Sequence, residues 1–244
     1  MSGEQAKTIQ SRLGVAGSLR VGINLGNGLL VTGKGPAGEP QGVAPDMAAA
    51  IAKALEVEVS FETYATPGEV ADAGDRNEWD ICLIAAEPKR AEKIAFSKAY
   101  VEIEATYLVP VASPFQTVED VDQPGVIIAT MDRAAYDLYL TRSLEHAELR
   151  RLKGNVFETF VEEKLDAMAG LAPGLQKEAL ALPGSRVLAG GYTSIQQAVG
   201  TLRNHTELAS FVEEFVAKAK DEGLVSRFIE KHGVTGKLLV AAKA

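Results

Sequence analysis

Short apolar runs with the period of a strand alternate with amphipathic stretches of helical period along almost the whole 244-residue chain. That alternation predicts an α/β architecture with a largely parallel sheet. Leu19–Ile23 opens as a strand. Asp46 is expected to cap a helix that carries Met47, Ile51 and Leu55 on one face. Val57, Val59 and Phe61 alternate as in a half-buried strand, Trp79–Ala86 reads as another strand, and Pro88 opens the next helix. A second series follows the apolar run Ala105–Val111. It comprises a strand over Gly125–Thr130, a helix bearing Tyr136, Tyr139, Leu140 and Leu144, a strand over Glu148–Leu152, and a helix marked by Val156, Phe160 and Leu165 that leads into Asp166–Gly170. Ile195–Val199 is a third apolar strand, and two amphipathic helices punctuated by Gly223 and Gly233 close the chain. At 46% hydrophobic residues the chain can bury a sizeable core, and its length allows one large domain or two lobes of roughly 100 residues each. Two α/β blocks with a leftover helical tail favour two lobes.

Charge and composition narrow the function. A formal net charge of −8 repels phosphate backbones and anionic membrane surfaces, so nucleic acid is not an expected partner. Cys82 is the only cysteine, which leaves no internal disulfide and no multi-cysteine metal site; in its apolar run it reads as inert core. His146, His205 and His232 stand far apart without ligand spacing, so neither a metal nor a cofactor is expected. No stretch approaches the roughly 20 apolar residues of a membrane span, so no direct membrane insertion is expected. The first residues lack the features of a secretory leader. A periplasmic location is expected if a leader was removed, and a cytoplasmic one if the chain is complete as written.

Several segments carry a family resemblance. Leu19–Asn24, Gly42–Met47 opening a helix, Trp79-Asp80-Ile81, and Pro88–Ser97 ending near Tyr100 occur in that order. Val121–Val126, Lys164–Ala167 and Glu222-Gly223-Leu224 follow. In this ensemble the chain resembles type 2 periplasmic solute-binding proteins of the polar amino-acid ABC-transporter family. The resemblance implies a two-lobed fold of the periplasmic-binding-protein type, each lobe a mixed sheet flanked by helices, with hinge crossings at Ala105–Val109 and Ile195–Val199. Lobe one is then residues 1–108 with 197–244, lobe two is 109–196, and the helical tail packs back on lobe one. An ABC permease is the implied protein partner.

The resemblance also implies contacts for a small, carboxylate-bearing solute in an interlobe cleft. Arg90 stands where the family grips a ligand carboxylate, a task its guanidinium fork suits; the bland alternative is a surface arginine paired with Glu87 or Glu92. Positions that usually hold hydroxyls read Leu83, Ala85 and Glu87, and the first loop offers Asn24, Asn27 and Leu30 in place of an aromatic platform. Thr66 completes the lobe-one candidates. In lobe two, Asp132 and Arg133 occupy the stretch where a Gly-Thr or Gly-Ser pair commonly receives the carboxylate at a helix N-terminus. Leu171 stands where amino-acid binders keep the acid that pairs with the ligand ammonium, so an ordinary α-amino acid held in the usual way is not expected. Asp132, Glu87 or Glu104 could supply an acid from another direction.

Binding without turnover is the leading expectation. One alternative is an enzyme resembling cyclohexadienyl dehydratase, suggested by Phe115-Gln116-Thr117 with Asp122–Gly125; where such enzymes carry their catalytic acid the chain reads Leu171-Ala172-Pro173-Gly174. A cytoplasmic ligand sensor is the other.

Overall fold

The computed structural model describes residues 3–242, which form two compact units. One runs to Glu102 and resumes at Gln196; the other is Ile103–Ile195.

The first unit opens with a helix that the hydrophobic pattern does not announce, α1 (Gly3–Gln10), of which only Ile9 is buried. Gln10 secures it by donating from Nε2 to the Leu55 carbonyl at 2.6 Å. Strand β1 (Ser18–Asn24) follows, then a small hairpin of β2 (Gly33–Lys34) and β3 (Pro40–Gln41). Helix α2 (Val43–Ala54) begins three residues before the expected cap. Gly42 is the N-cap, at φ 151°, where a Cβ would lie 2.1 Å from the Leu30 carbonyl oxygen, so the chain needs glycine there. Asp46 is therefore not the cap but lies in the first turn. There its carboxylate accepts from Lys231 Nζ at 2.7 Å and meets His232 Nε2 at 2.8 Å.

Next come β4 (Glu58–Tyr64), α3 (Pro67–Asp75), β5 (Ile81–Ala85), α4 (Pro88–Ala91), β6 (Ile94–Phe96) and β7 (Val101–Pro110), whose first two residues end this part of the unit. β1 pairs in parallel with β4 on one side and β5 on the other. All five residues of β5 are buried, as expected for a strand covered on both faces. Trp79 packs with Val70, Ala73, Cys82 and Ile84, and its indole N–H reaches the Val70 carbonyl at 2.8 Å.

The second unit continues along β7 into β8 (Ile127–Met131), α5 (Ala135–Ser143), β9 (Glu148–Leu152), α6 (Val156–Glu162), β10 (Ala167–Leu171), α7 (Ala172–Ala181) and β11 (Ser185–Val187). β10 pairs antiparallel with β7 and parallel with β8, and β8 pairs in parallel with β9. Two expectations need correction here. Leu165 lies beyond α6, because Lys164 turns into the left-handed region at φ 52° and Leu165 N–H closes back on the Phe160 carbonyl at 3.1 Å. Leu144 is the C-cap of α5, not part of its face. The segment after Asp166 is the central strand β10 of this unit, buried without a break from Ala167 to Gly170.

Asp122 ties the second unit's surface together, accepting from the amides of Glu145, His146 and Ala147 at 2.9, 2.8 and 2.8 Å. Burial pushes its carboxyl up, but the three amides outweigh that and hold it below its ordinary value. A lowered carboxyl stabilises the fold above its unfolded pKa of about 3.9 and loses that contribution as pH falls through the folded value. Asp122→Ala is expected to cost about 1 kcal/mol near neutrality. Its deficit against the unmodified chain in urea melts should shrink below about pH 4. A deficit that does not change with pH would contradict this account.

The chain re-enters the first unit along β12 (Thr193–Leu202), which pairs antiparallel with β5 and β6. Helices α8 (Thr206–Asp221) and α9 (Leu224–Lys231) and strand β13 (Leu239–Val240) complete it. Gly223, at φ 69°, makes the break between the two helices. β13 adds to the start of β7 opposite Val101 and Glu102, and Lys220 Nζ donates to the carbonyls of Ala99 and Ala242, both at 3.0 Å. The helical tail is thereby fastened to the first unit.

Candidate functional site

In the first unit the candidates collect at the carboxyl edge of three adjacent parallel strands. Asn24 ends β1 in register with Tyr64 of β4, two residues before Thr66, and Ala85 ends β5. Ligands of open α/β sheets collect at this edge, where strands give way to loops. Asn24 Oδ1 accepts from Gly26 N–H at 2.9 Å and Asn27 Oδ1 from Leu29 N–H at 3.1 Å, so both side chains shape the first loop. Leu30 is 3% exposed, and its carbonyl accepts the Ala44 amide. Its apolar side chain is part of the core. Thr66 is the N-cap of α3, its hydroxyl accepting from Glu69 N–H at 3.2 Å.

Glu87 is the N-cap of the single turn α4, just after β5, and Arg90 is that turn's third residue; both are 6% exposed. Arg90 is thus not a surface arginine. Its Nη1 donates to the Ala85 carbonyl at 2.8 Å, which pins the guanidinium against the strand end, and Glu92 is instead engaged by Lys89 at 3.0 Å. Cys82, in the same strand, is fully buried, and burial pushes its thiol up to about 12, against a smaller opposing pull from Arg90. A thiol so protonated is not a nucleophile.

In the second unit, Asp132, Arg133 and Leu171 likewise lie at the carboxyl edge of neighbouring parallel strands, since Met168 of β10 registers with Ala129 of β8. Arg133 adopts φ 60°, an uncommon conformation for a residue with a side chain. Its amide donates to Asp137 Oδ2 at 2.9 Å, and Arg151 Nε donates to the other oxygen at 2.9 Å. Asp137 is 2% exposed; burial raises its carboxyl above the ordinary range, partly offset by these donors. The Arg133 amide at the head of α5 is therefore already given to a carboxylate of the chain itself. The sequence signal for Asp137 was an acid in the first turn of a helix, two residues past its start. Leu171 is half-buried and serves as the N-cap position of α7. In the same unit Tyr192 packs tilted against Tyr107 and stacked on Tyr139, with centroids 4.5 and 5.9 Å away, an aromatic cluster the periodicity alone does not reveal.

Among the described residues no group of three or more His, Cys, Asp or Glu side chains is placed to hold a metal ion. No helix among them is long and apolar enough to cross a membrane.

Two mixed α/β units, linked by two passages of the chain and each presenting polar loops at its strand ends, define the two-lobed periplasmic-binding-protein-like fold of type 2. The chain belongs to the bacterial extracellular solute-binding proteins, family 3, which it matches over residues 20–235. No curated protein sequence matches it. Among solved structures, a mutant of ArgBP from T. maritima is similar at 20% identity with a TM-score of 0.73, covering 94% of this chain and 99% of that one. The amino acid ABC transporter substrate-binding protein AbpA from Streptococcus pneumoniae, bound to L-arginine, shares 19% identity at a TM-score of 0.73, covering 93% and 97%. The ancestral amino acid-binding protein AncCDT-1, described as a precursor of cyclohexadienyl dehydratase, shares 25% identity at a TM-score of 0.73, also covering 93% and 97%.

Proposed function

We infer that this chain is the solute-binding component of an ABC-type transporter. It takes a small, amino-acid-like solute by its carboxylate, without turnover. The observation that carries this reading is Arg90, a guanidinium 6% exposed and oriented by the Ala85 carbonyl at the strand edge where such folds receive ligands. Relatives of the same fold that hold L-arginine or glutamine support an amino-acid-like ligand.

A thermal-shift screen of the full chain against amino acids and small organic acids tests it. A true ligand at a hundred times its Kd adds about 2.7 kcal/mol of stability and shifts the melting point by several degrees. A broad library without a single stabilising compound would sink the reading.

The likeness to AncCDT-1 favours one second reading, a dehydratase on this fold. Elimination of that kind needs a positioned acid, and Leu171-Ala172-Pro173-Gly174 supplies none. Incubation with prephenate and arogenate is expected to give no product; catalytic turnover of either would displace the binding reading.

A further inference from the structure

We propose that the C-terminal segment is a brace on the hinge: β13 and Lys220 stiffen the start of β7, so that flexing of the two-lobed fold begins beyond Glu102. The chain leaves the first unit at Glu102 and returns to it at Gln196. These two residues are bonded to each other, Gln196 Nε2 donating to Glu102 Oε2 at 2.7 Å. The outgoing and returning passages are therefore tied at the boundary of the unit, and whatever holds Glu102 in place steadies both.

The approach to that tie is held from two sides. On one, Tyr100 N–H donates to the Gln197 carbonyl of β12 at 2.9 Å. On the other, Ala241 N–H donates to the Tyr100 carbonyl at 3.2 Å, and Val240 and Leu239 lie opposite Val101 and Glu102. Two ladder positions alone offset little of the entropy lost in ordering a chain end, so a strand this short needs anchors. Val234, Leu238 and Ala241, none more than 5% exposed, seat the tail in the first unit. Lys220, half-buried on α8, adds a polar anchor: its Nζ bonds the carbonyl of Ala99, just before β7, and that of Ala242, just after β13. One ammonium thus joins the tail to the outgoing strand where the two run side by side. Hinge motions are absorbed by a few residues at element ends. With the start of β7 fixed on both sides, that change falls to residues after Glu102; with the tail detached, residues 99–102 would yield as well. The brace acts whichever solute is bound.

Hydrogen–deuterium exchange of the full-length chain, resolved by segment, provides the test. Lys220→Met keeps the aliphatic stem and loses both donations; Ala241→Pro removes the amide bonded to Tyr100. Each is expected to speed exchange over residues 100–103 at least about tenfold, and over 196–198 to a smaller extent, while β1 and β8 exchange as in the unmodified chain. Lys220→Arg, which keeps a charged donor, is expected to retain most of the protection. Acceleration confined to the tail itself, residues 237–242, overturns the proposal, because the tail would then be fastened to β7 without steadying it. Acceleration of equal size in β1 and β8 also overturns it, since the segment would then support the whole fold and not the passage. That comparison is made within each variant, so a loss of overall stability is itself a decisive result.

Discussion

Arg90→Ala is expected to reduce solute affinity by at least about a hundredfold, to the point where calorimetry no longer registers binding. The size follows from where the guanidinium sits. At 6% exposure it is shielded from water, and its bond to the Ala85 carbonyl holds part of the fork in place before a ligand arrives. A charge that is already oriented loses little freedom on binding, so most of its interaction appears in affinity. Arg90→Lys separates charge from geometry. An ammonium keeps the positive charge but not the planar fork, and is expected to recover only a minor part of the lost affinity. Circular dichroism and melting of both variants must accompany the titrations, because the Ala85 carbonyl loses a buried donor in Arg90→Ala. Wild-type affinity in Arg90→Ala would remove the arginine from the site.

How much of this was legible in the sequence depended on the range of the interaction involved. β5 was readable because a run with no polar residue from Ile81 to Ala85 has one reasonable fate, burial on both faces. The breaks at Gly223 and Gly233 were readable for a local reason too, since both residues adopt positive φ. The start of α2 was misplaced because Asp46 has the chemistry of a cap, whereas the actual constraint is the approach of Gly42 to the Leu30 carbonyl from another segment. The same holds at the candidate site. Arg90 was singled out by its resemblance to a family position, and Asn24, Asn27 and Thr66 have the composition of turns and caps, which is the work their hydrogen bonds do. That Asp137 occupies the Arg133 amide could not be read from spacing, because its anchor, Arg151, comes from the neighbouring strand β9 fourteen residues on. Local chemistry shows in sequence; the partner that decides between its uses does not.

The second large effect concerns such a distant partner. Asp80 is fully buried, and its two oxygens accept from Gly14 N–H, Arg20 N–H and Arg20 Nη2, each at 2.9 Å. Arg20 Nη1 continues to the Asn77 carbonyl at 2.7 Å, so one carboxylate fastens the approach to β1, β1 itself and the turn before β5. Removing one member of a buried pair costs about 3–5 kcal/mol, because the other is left uncompensated. Asp80→Ala is expected to reach that range, lowering the urea midpoint of the first unit without changing the slope. Arg20→Ala should cost clearly less, since two backbone amides still satisfy the aspartate. A double variant, Arg20→Met with Asp80→Leu, should recover only part of the loss: it removes both charges but leaves the amides of Gly14 and residue 20 without their acceptor. Equal losses in the two single variants, or full recovery in the double, would show that the ion pair and not the backbone anchoring dominates. The expected order, Asp80 well above Arg20, makes this aspartate a clamp on the backbone of the unit that carries Arg90, with the arginine as its counter-charge.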